Sequence, residues 1–363
     1  MTESAVSLRT LLEEHTMPAA EALTRREDGD ALRCLACGHR CLVRKGRHGA
    51  CFVRFHRDGM LRVPTGYVSA LAVDPIEKKP FYHVLPGAGA LSFGMLGCNF
   101  HCPFCQNWMT SQTLRDERAV VRPRFVSARR IVELAVEHHC PVITSTYNEP
   151  LITSEWAVQI FRLGRDHGLL GAYVSNGNAT PEVLEYIRPW VDVCNVDLKA
   201  FCEKTYRALG GRLESVLDTI RRLHQMNFWI EVVTLVVPGL NDSDDELARM
   251  AAFLAGVSPD IPWHVTAFHP DYKMNDRGRT PAATLRRAWD IGRREGLRYV
   301  YAGNLPGMVE HCENTCCPGC GRELIVRHGF SVRENHLKGA CCPDCGERIA
   351  GIWQPRGSQQ APA

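Results

Sequence analysis

The chain has 363 residues, a formal net charge of +3, and a hydrophobic fraction of 45%. This length can bury one large core or two modest ones, and the composition is typical of a globular protein. No block of Lys and Arg indicates a nucleic-acid groove, and no run of 18 uncharged apolar residues indicates a membrane span. Glu13, Glu14 and His15 stand where a signal peptide needs an apolar run, so we expect a cytoplasmic protein.

Seventeen cysteines would suggest disulfides in a short secreted chain, but this chain is long, and eleven of its cysteines fall into three groups with short spacings. In a cytoplasmic protein such groups indicate metal binding rather than disulfides. We interpret most of the other six as small buried apolar residues: Cys140, Cys194, Cys202, Cys312, Cys316 and Cys341.

The N-terminal part divides into a helical lead over residues 1–33 and a four-cysteine metal-binding module with its linker over residues 34–85. Leu8, Leu11 and Leu12 would share one face of the helix. The module has the spacing CxxCxxxCx9C, formed by Cys34, Cys37, Cys41 and Cys51. Four thiolates are a complete ligand set, so we expect a closed site that holds either zinc or an auxiliary iron–sulfur cluster.

Strands and helices alternate over residues 86–310. The predicted strands are Ala90–Leu96, Val142–Tyr147, Leu169–Ser175, Val191–Asp197, Phe228–Val236, Trp263–Phe268 and Leu297–Tyr301. Helix starts are predicted at Thr180-Pro181, at Thr280-Pro281, and at Ser243 with Glu246 as a capping box. Gly168 and Gly296 are predicted to end helices. Repeated βα units predict an α/β fold, a partial or nearly closed parallel (β/α) barrel with its site at the carboxyl ends of the strands.

The loop from Gly97 to Trp108, GCNFHCPFCQNW, carries the second cysteine group. Cys98, Cys102 and Cys105 have the spacing CxxxCxxC, which suits three corners of a cubane iron–sulfur cluster. One iron would then lack a protein ligand, so a substrate or cofactor would complete its coordination.

Polar residues follow the later strands at the points where a barrel site is expected. The segments are TYNEP after the second strand, SNGN after the third, NVDLK at the fourth, VPGLND after the fifth and FHPDYK after the sixth. They supply the candidate cofactor-binding residues Glu149, Asn176, Asp197, Lys199 and His269.

Residues 311–353 carry the third cysteine group, and residues 354–363 form a flexible tail. Two matching CPxCG segments hold Cys317, Cys320, Cys342 and Cys345, which is the pattern of a zinc ribbon with four thiolate ligands. Segments 323–326 and 330–334 are predicted to pair as a hairpin between them. This zinc-ribbon-like module could cap the open side of the barrel or contact a protein, and its charge disfavours nucleic acid.

The cysteine loop and the segments TYNEP, VSNG, NVDLKAF, LVVPGLND and AFHPDYKM resemble the radical S-adenosylmethionine (SAM) component of the AmmeMemoRadiSam system, within the group related to the pyruvate formate-lyase activating enzyme. The resemblance implies a TIM-barrel-like fold, a [4Fe-4S] cluster on the three loop cysteines, SAM on the open iron, and an electron donor such as flavodoxin or ferredoxin. It implies that Glu149 binds the SAM ammonium group and that Asn176 lies near the ribose. Asp197, Lys199 and His269 would surround the methionyl carboxylate. Asn148 departs from the threonine expected in TYTEP, which affects the local hydrogen bonding.

Three functions are compatible with these features. The first is reductive cleavage of SAM to a 5′-deoxyadenosyl radical that abstracts hydrogen from a peptide, protein or small-molecule substrate. The second is SAM-dependent aminocarboxypropyl transfer. The third is a non-catalytic adaptor with several metal sites, which leaves the polar residues at the strand ends without a role.

Overall fold

A computed structural model describes residues 8–357, and its N-terminal part is made of short antiparallel strands. Of the predicted helical lead, α1 (Leu8–Glu14) and a single 3-10 turn at Glu21–Leu23 are helical, and residues 1–7 lie outside the described part. Most of the remaining lead is extended because its backbone pairs with strands of the cysteine module. These strands are β1 (Thr16–Pro18), β2 (Thr24–Arg26), β3 (Leu32–Cys34), β4 (Leu42–Val43), β5 (Phe55–Arg57), β6 (Met60–Pro64) and β7 (Tyr67–Val68). They form two sheets in the orders β1-β6-β5 and β2-β3-β4, while β7 pairs with a later strand.

The central element is an eight-stranded sheet whose strands are β8 (Ala70–Pro75), β9 (Gly89–Gly94), β11 (Val142–Ser145), β12 (Leu170–Ser175), β13 (Val193–Asp197), β14 (Trp229–Val236), β15 (Trp263–Ala267) and β16 (Val300–Gly303). Strand β10 (Arg124–Phe125) pairs with β7 instead. Neighbours follow the order β16-β15-β14-β13-β12-β11-β9-β8. The seven predicted strands are confirmed and run parallel, whereas the antiparallel edge strand β8 falls in the predicted linker. β8 and β16 are not paired, so the barrel is partial.

Helices connect the parallel strands and cover the outside of the barrel. They are α2 (Trp108–Ser111), α3 (Ala128–Glu137), α4 (Ser154–Arg165), α5 (Pro181–Ile187), α6 (Glu203–Ala208), α7 (Leu213–Gln225), α8 (Asp244–Val257) and α9 (Ala282–Arg294). No helix of the described chain is both long and apolar enough to cross a membrane.

Most of the predicted helix ends are confirmed. The side chain of Thr180 accepts a hydrogen bond from Val183 N, and Gly168 adopts a positive φ just after α4. The prediction at Thr280 is wrong, because its hydroxyl donates to Val236 O and accepts from Phe268 N instead of capping α9. Ser243 caps α8, but the carboxylate of Glu246 accepts from Phe201 N, so the capping box is only half formed.

The interior of the barrel changes from apolar to polar along the strands. At the amino ends, Ile76, Phe81, Val84, Ala90, Val142, Ala172 and Val193 form a buried apolar cluster. Side chains alternate across each strand, so every second residue points into the barrel. Further along the strands, the buried residues that point inward include Thr144, Asn195 and His264. The apolar cluster therefore closes one end of the barrel, and polar groups lead up to the other end.

The C-terminal module fills the gap between β16 and β8. It consists of β17 (Thr315–Cys316), β18 (Glu323–His328) and β19 (Ser331–Asn335), so the predicted hairpin is confirmed. The guanidinium group of Arg327 is buried, donates to Tyr82 O (2.7 Å) and lies 3.6 Å from the carboxylate of Glu77. Ile352 N donates to His83 O (2.8 Å), and Leu85 N donates to Ile352 O (2.8 Å). These contacts make the module a cap on the open side of the barrel.

Candidate active site

A cavity of about 390 Å³ opens at the carboxyl ends of the parallel strands. This volume falls in the range of sites that bind small molecules. Seven of the eight residues predicted to bind the cluster or SAM line it: Cys98, Cys102, Cys105, Glu149, Asn176, Asp197 and Lys199. They come together because parallel strands direct the loops that follow them to the same end of the barrel.

The three loop cysteines form one wall of the cavity. Phe100 N donates to the sulfur of Cys98 (3.3 Å), and the Cys105 sulfur lies 3.2 Å from the hydroxyl of Ser111. Burial raises the pKa of Cys102 to about 12, so metal binding is needed to hold this thiol as a thiolate near neutral pH. One buried and two half-buried cysteines beside an open cavity fit a cluster with one iron free to bind a ligand.

Glu149 lies at the base of the cavity and is 2% exposed. One carboxylate oxygen accepts from Ser175 Oγ (2.7 Å) and Leu151 N (3.0 Å), and the other accepts from Asn176 N (2.8 Å). Burial nevertheless raises its pKa to about 7. These bonds orient the carboxylate, and a cation entering the cavity would favour its charged form.

Asp197 and Lys199 also line the cavity and form an ion pair, with Lys199 Nζ 3.1 Å from the carboxylate. Burial opposes the charge on Lys199, but the Asp197 carboxylate and the Cys102 thiolate raise its pKa above the usual value. The ammonium group therefore stays charged beside the cysteine loop, where it can meet an anionic group.

His269 is the predicted site residue that does not line the cavity. Its side chain is 45% exposed and contacts Gln106 and Asp271. The unusual Asn148 has a clear contact: its Oδ1 accepts from Met95 N (2.9 Å), which joins the loop after β11 to the end of β9.

Sequence reasoning missed a histidine–carboxylate pair deeper in the barrel. Glu231 is fully buried and accepts from Tyr82 N, His83 N and His264 Nε2, the last at 2.7 Å. This fixes Nε2 of His264 as the donor, and its other ring nitrogen has no hydrogen-bond partner within residues 8–357. His264 lines the cavity, so this free nitrogen is available to a bound molecule. A single His in a predicted strand gave no signal of this role, since its partner is 33 residues away.

The C-terminal cysteines form a compact ligand group. The sulfurs of Cys317, Cys320, Cys342 and Cys345 all lie within 4.8 Å of one another. Four sulfurs at about 2.3 Å from one tetrahedral zinc ion would be about 3.8 Å apart. Two of the observed separations are 3.5 and 3.7 Å. The backbone repeats as well, because Gly321 N donates to Cys317 O and Gly346 N donates to Cys342 O. The geometry fits a single tetrahedral ion.

The N-terminal cysteines do not form such a group. Among residues 8–357, the C-terminal set is the one group of metal-ligating side chains this compact. The expectation of a closed site at Cys34, Cys37, Cys41 and Cys51, holding either zinc or an auxiliary iron–sulfur cluster, therefore stays a prediction.

Comparison with known proteins identifies a matching family and a relative. Residues 94–251 match the family described as the Radical SAM superfamily. A protein of Methanocaldococcus jannaschii, named Uncharacterized protein MJ0808, is 37% identical over 308 residues, which cover 84% of this chain and 90% of the relative.

Solved structures give weaker likenesses. A domain of the pyruvate-formate lyase-activating enzyme from Bacteroides vulgatus is 20% identical with a TM-score of 0.39, and the match covers 44% of this chain and 98% of that domain. Streptococcus suis SuiB bound to precursor peptide SuiA is 14% identical with a TM-score of 0.46, over 64% of this chain and 52% of SuiB.

Proposed function

The chain belongs to the radical SAM superfamily, and we propose that this enzyme binds a [4Fe-4S] cluster through Cys98, Cys102 and Cys105 and cleaves SAM reductively. When bound, the cluster and SAM supply a 5′-deoxyadenosyl radical that abstracts hydrogen from the substrate. The observation that carries the proposal is the convergence of three cysteine thiols, a buried carboxylate and a lysine on one cavity.

Glu149 accepts a hydrogen bond from the ammonium group of SAM. Its three existing donors hold the carboxylate in place, so binding requires little reorganisation. Lys199 meets the methionyl carboxylate beside Asp197, and Asn176 lies near the ribose. His269 remains a proposed contact to the methionyl carboxylate only if its exposed loop moves towards the cavity.

The substrate binds below SAM, in the polar layer of the barrel. His264 offers its free ring nitrogen there, and Glu231 fixes the orientation of the ring. Phe330, from the turn between β18 and β19, lines the same cavity. The C-terminal module therefore contributes to the wall of the substrate site as well as capping the barrel. The substrate is an unidentified peptide, protein or small molecule.

The remaining assignments concern subgroup, metal and surroundings. The motif segments favour the AmmeMemoRadiSam subgroup, and the compact sulfur group favours zinc at the C-terminal site. The proposed partners are an electron donor such as flavodoxin or ferredoxin and a protein partner or substrate. All described cysteines are free of disulfides, which supports a reducing, cytoplasmic location.

The test uses anaerobically reconstituted protein and the variant in which Cys98, Cys102 and Cys105 are all Ala. The wild type should give the electron paramagnetic resonance signal of a reduced four-iron cluster, and added SAM should change that signal because SAM binds the open iron. The triple variant should lose the SAM-responsive signal. A SAM-responsive signal that persists in the triple variant would refute the assignment.

A further inference from the structure

We propose that Cys34, Cys37, Cys41 and Cys51 bind a second four-iron cluster, which passes electrons to the cluster of the central loop. The second cluster stands on its own observations. Its role as an electron relay rests on the proposed function.

The four N-terminal cysteines lie together in the fold. Cys34 N donates to Cys41 O (2.9 Å), and Ala50 N, next to Cys51, donates to the Cys41 sulfur (3.3 Å). Among residues 8–357, these cysteines do not form a group as compact as the C-terminal one. In a cubane each thiolate binds a different iron, so a cluster does not require the separations of roughly 3.8 Å expected around one zinc ion.

Within residues 8–357, two buried donors near these cysteines have no hydrogen-bond partner. Asn99 is 2% exposed, and its Nδ2 is one of the two. Arg54 is 1% exposed and pairs with Glu155 at 2.7 Å, but its Nε has no partner. Cys34 and Cys51 both help to raise the pKa of Arg54, after the larger effects of burial, which lowers it, and of Glu155. Buried unpaired donors are costly, and the sulfur atoms of a cluster would accept from both.

The charge of the module also suits a cluster with four thiolate ligands, which is anionic. Residues 31–57 contain no Asp or Glu. They carry seven cationic residues: Arg33, Arg40, Arg44, Lys45, Arg47, Arg54 and Arg57. This local excess of positive charge stabilises a buried anion.

The N-terminal module lies directly against the central loop. His39 Nε2 donates to Asn99 O (2.9 Å), and a Cβ on Gly97 would be only 3.0 Å from Cys51 O. Asn99 joins the two regions, because its carbonyl accepts from His39 of the N-terminal module while its Oδ1 lies 3.8 Å from the Cys98 sulfur. The two proposed clusters are therefore neighbours, which makes a short path for electron transfer.

A reduced one-electron donor of the ferredoxin or flavodoxin class gives one electron to the N-terminal cluster and is itself oxidised. The N-terminal cluster then returns to its oxidised state by giving that electron to the central cluster. The central cluster is oxidised again when it gives the electron to SAM. The bond between the sulfur and C5′ of SAM then breaks, which yields methionine and the 5′-deoxyadenosyl radical.

Metal analysis tests the second cluster. Reconstituted wild-type protein should contain about eight iron and one zinc per chain, and the triple alanine variant of the central loop should keep about four iron and one zinc. Replacing Cys34, Cys37, Cys41 and Cys51 by Ala instead should leave about four iron, and that iron should still respond to SAM. The cluster proposal is overturned if the triple variant holds almost no iron, whether it holds two zinc ions or one. If the iron contents are as expected but the iron left in the variant without the N-terminal cysteines does not respond to SAM, the proposed function is refuted and the N-terminal cluster stands.

Rapid freeze-quench spectroscopy with reduced ferredoxin tests the relay. In the wild type, the N-terminal cluster should be reduced before the central one. In the variant without the N-terminal cysteines, reduction of the central cluster should be at least about tenfold slower. If the central cluster of the wild type is reduced first, or if the variant reduces it at the wild-type rate, the relay is refuted.

Discussion

The central loop and the C-terminal module both present cysteines on tight turns, but the structure holds their sulfurs differently. The C-terminal sulfurs converge within 4.8 Å and complete a ligand set. The central sulfurs do not form so compact a group among the described residues, and they line a cavity that Glu149 and Lys199 also line. The number of protein ligands therefore distinguishes a structural site from a reactive one. Four thiolates complete the coordination of the metal, whereas three leave one coordination position free for a reactant.

The largest effect is expected from removing ligands of the C-terminal zinc site. Changing Cys317 and Cys342 together to Ser should abolish zinc binding and lower the melting temperature by about 10 °C or more, because bound zinc contributes folding energy. Calorimetry and zinc analysis measure both quantities. The matched control changes the neighbouring Cys316 and Cys341 to Ser, which should retain zinc. Equal loss of zinc in the control would show that the ligand set is misassigned.

Glu149→Gln should weaken SAM binding by about 1 to 3 kcal/mol, because the substitution keeps the size of the side chain but removes the charge that faces the SAM ammonium group. Equilibrium binding measures the loss, and the iron content should be unchanged. An unaltered SAM affinity would show that Glu149 does not bind the SAM ammonium group.

The pH dependence of SAM binding should follow the same carboxylate. Burial raises the pKa of Glu149 to about 7, so below pH 7 the free protein holds this group protonated and uncharged. SAM affinity should therefore fall by up to about tenfold per pH unit as pH decreases from 7 to 6. Glu149→Gln supplies the control, since it should flatten this dependence. An equally steep dependence in that variant would assign the titration to another group.

The smallest effect is expected on the substrate side of the cavity. His264→Gln should change SAM affinity by less than about 0.5 kcal/mol, because His264 lies in the polar layer below the proposed SAM site. His83→Gln is the matched control for damage to the fold, since both ring nitrogens of His83 already have partners, Ala350 O and Tyr301 OH. A large loss of SAM affinity in His264→Gln but not in His83→Gln would show that His264 contacts SAM rather than the substrate.

The sequence predicted the features that depend on local patterns. The seven parallel strands follow from hydrophobic runs, and the two CPxCG turns follow from repeated Cys, Pro and Gly. The edge strand β8 was missed because its sequence, ALAVDP, gives no clear strand signal. The short N-terminal strands were missed because two or three residues carry no period.

Contacts between distant buried polar residues could not be predicted. Arg327 approaches Glu77, and His264 meets Glu231, only because the barrel and its cap bring these residues together. A single sequence contains no signal for such pairs. The metal at the N-terminal cysteines could not be predicted either, since the same four residues could enclose one ion or bind a cluster.

The central claim is that the open site cleaves SAM to a 5′-deoxyadenosyl radical. Product analysis after anaerobic reduction with dithionite tests it most directly, with the triple alanine variant of the central loop as the blank. The account predicts 5′-deoxyadenosine and methionine in equal amounts from the wild type and neither from the variant. Formation of 5′-methylthioadenosine instead would indicate aminocarboxypropyl transfer and contradict the account, as would the absence of any SAM product from protein with a full cluster.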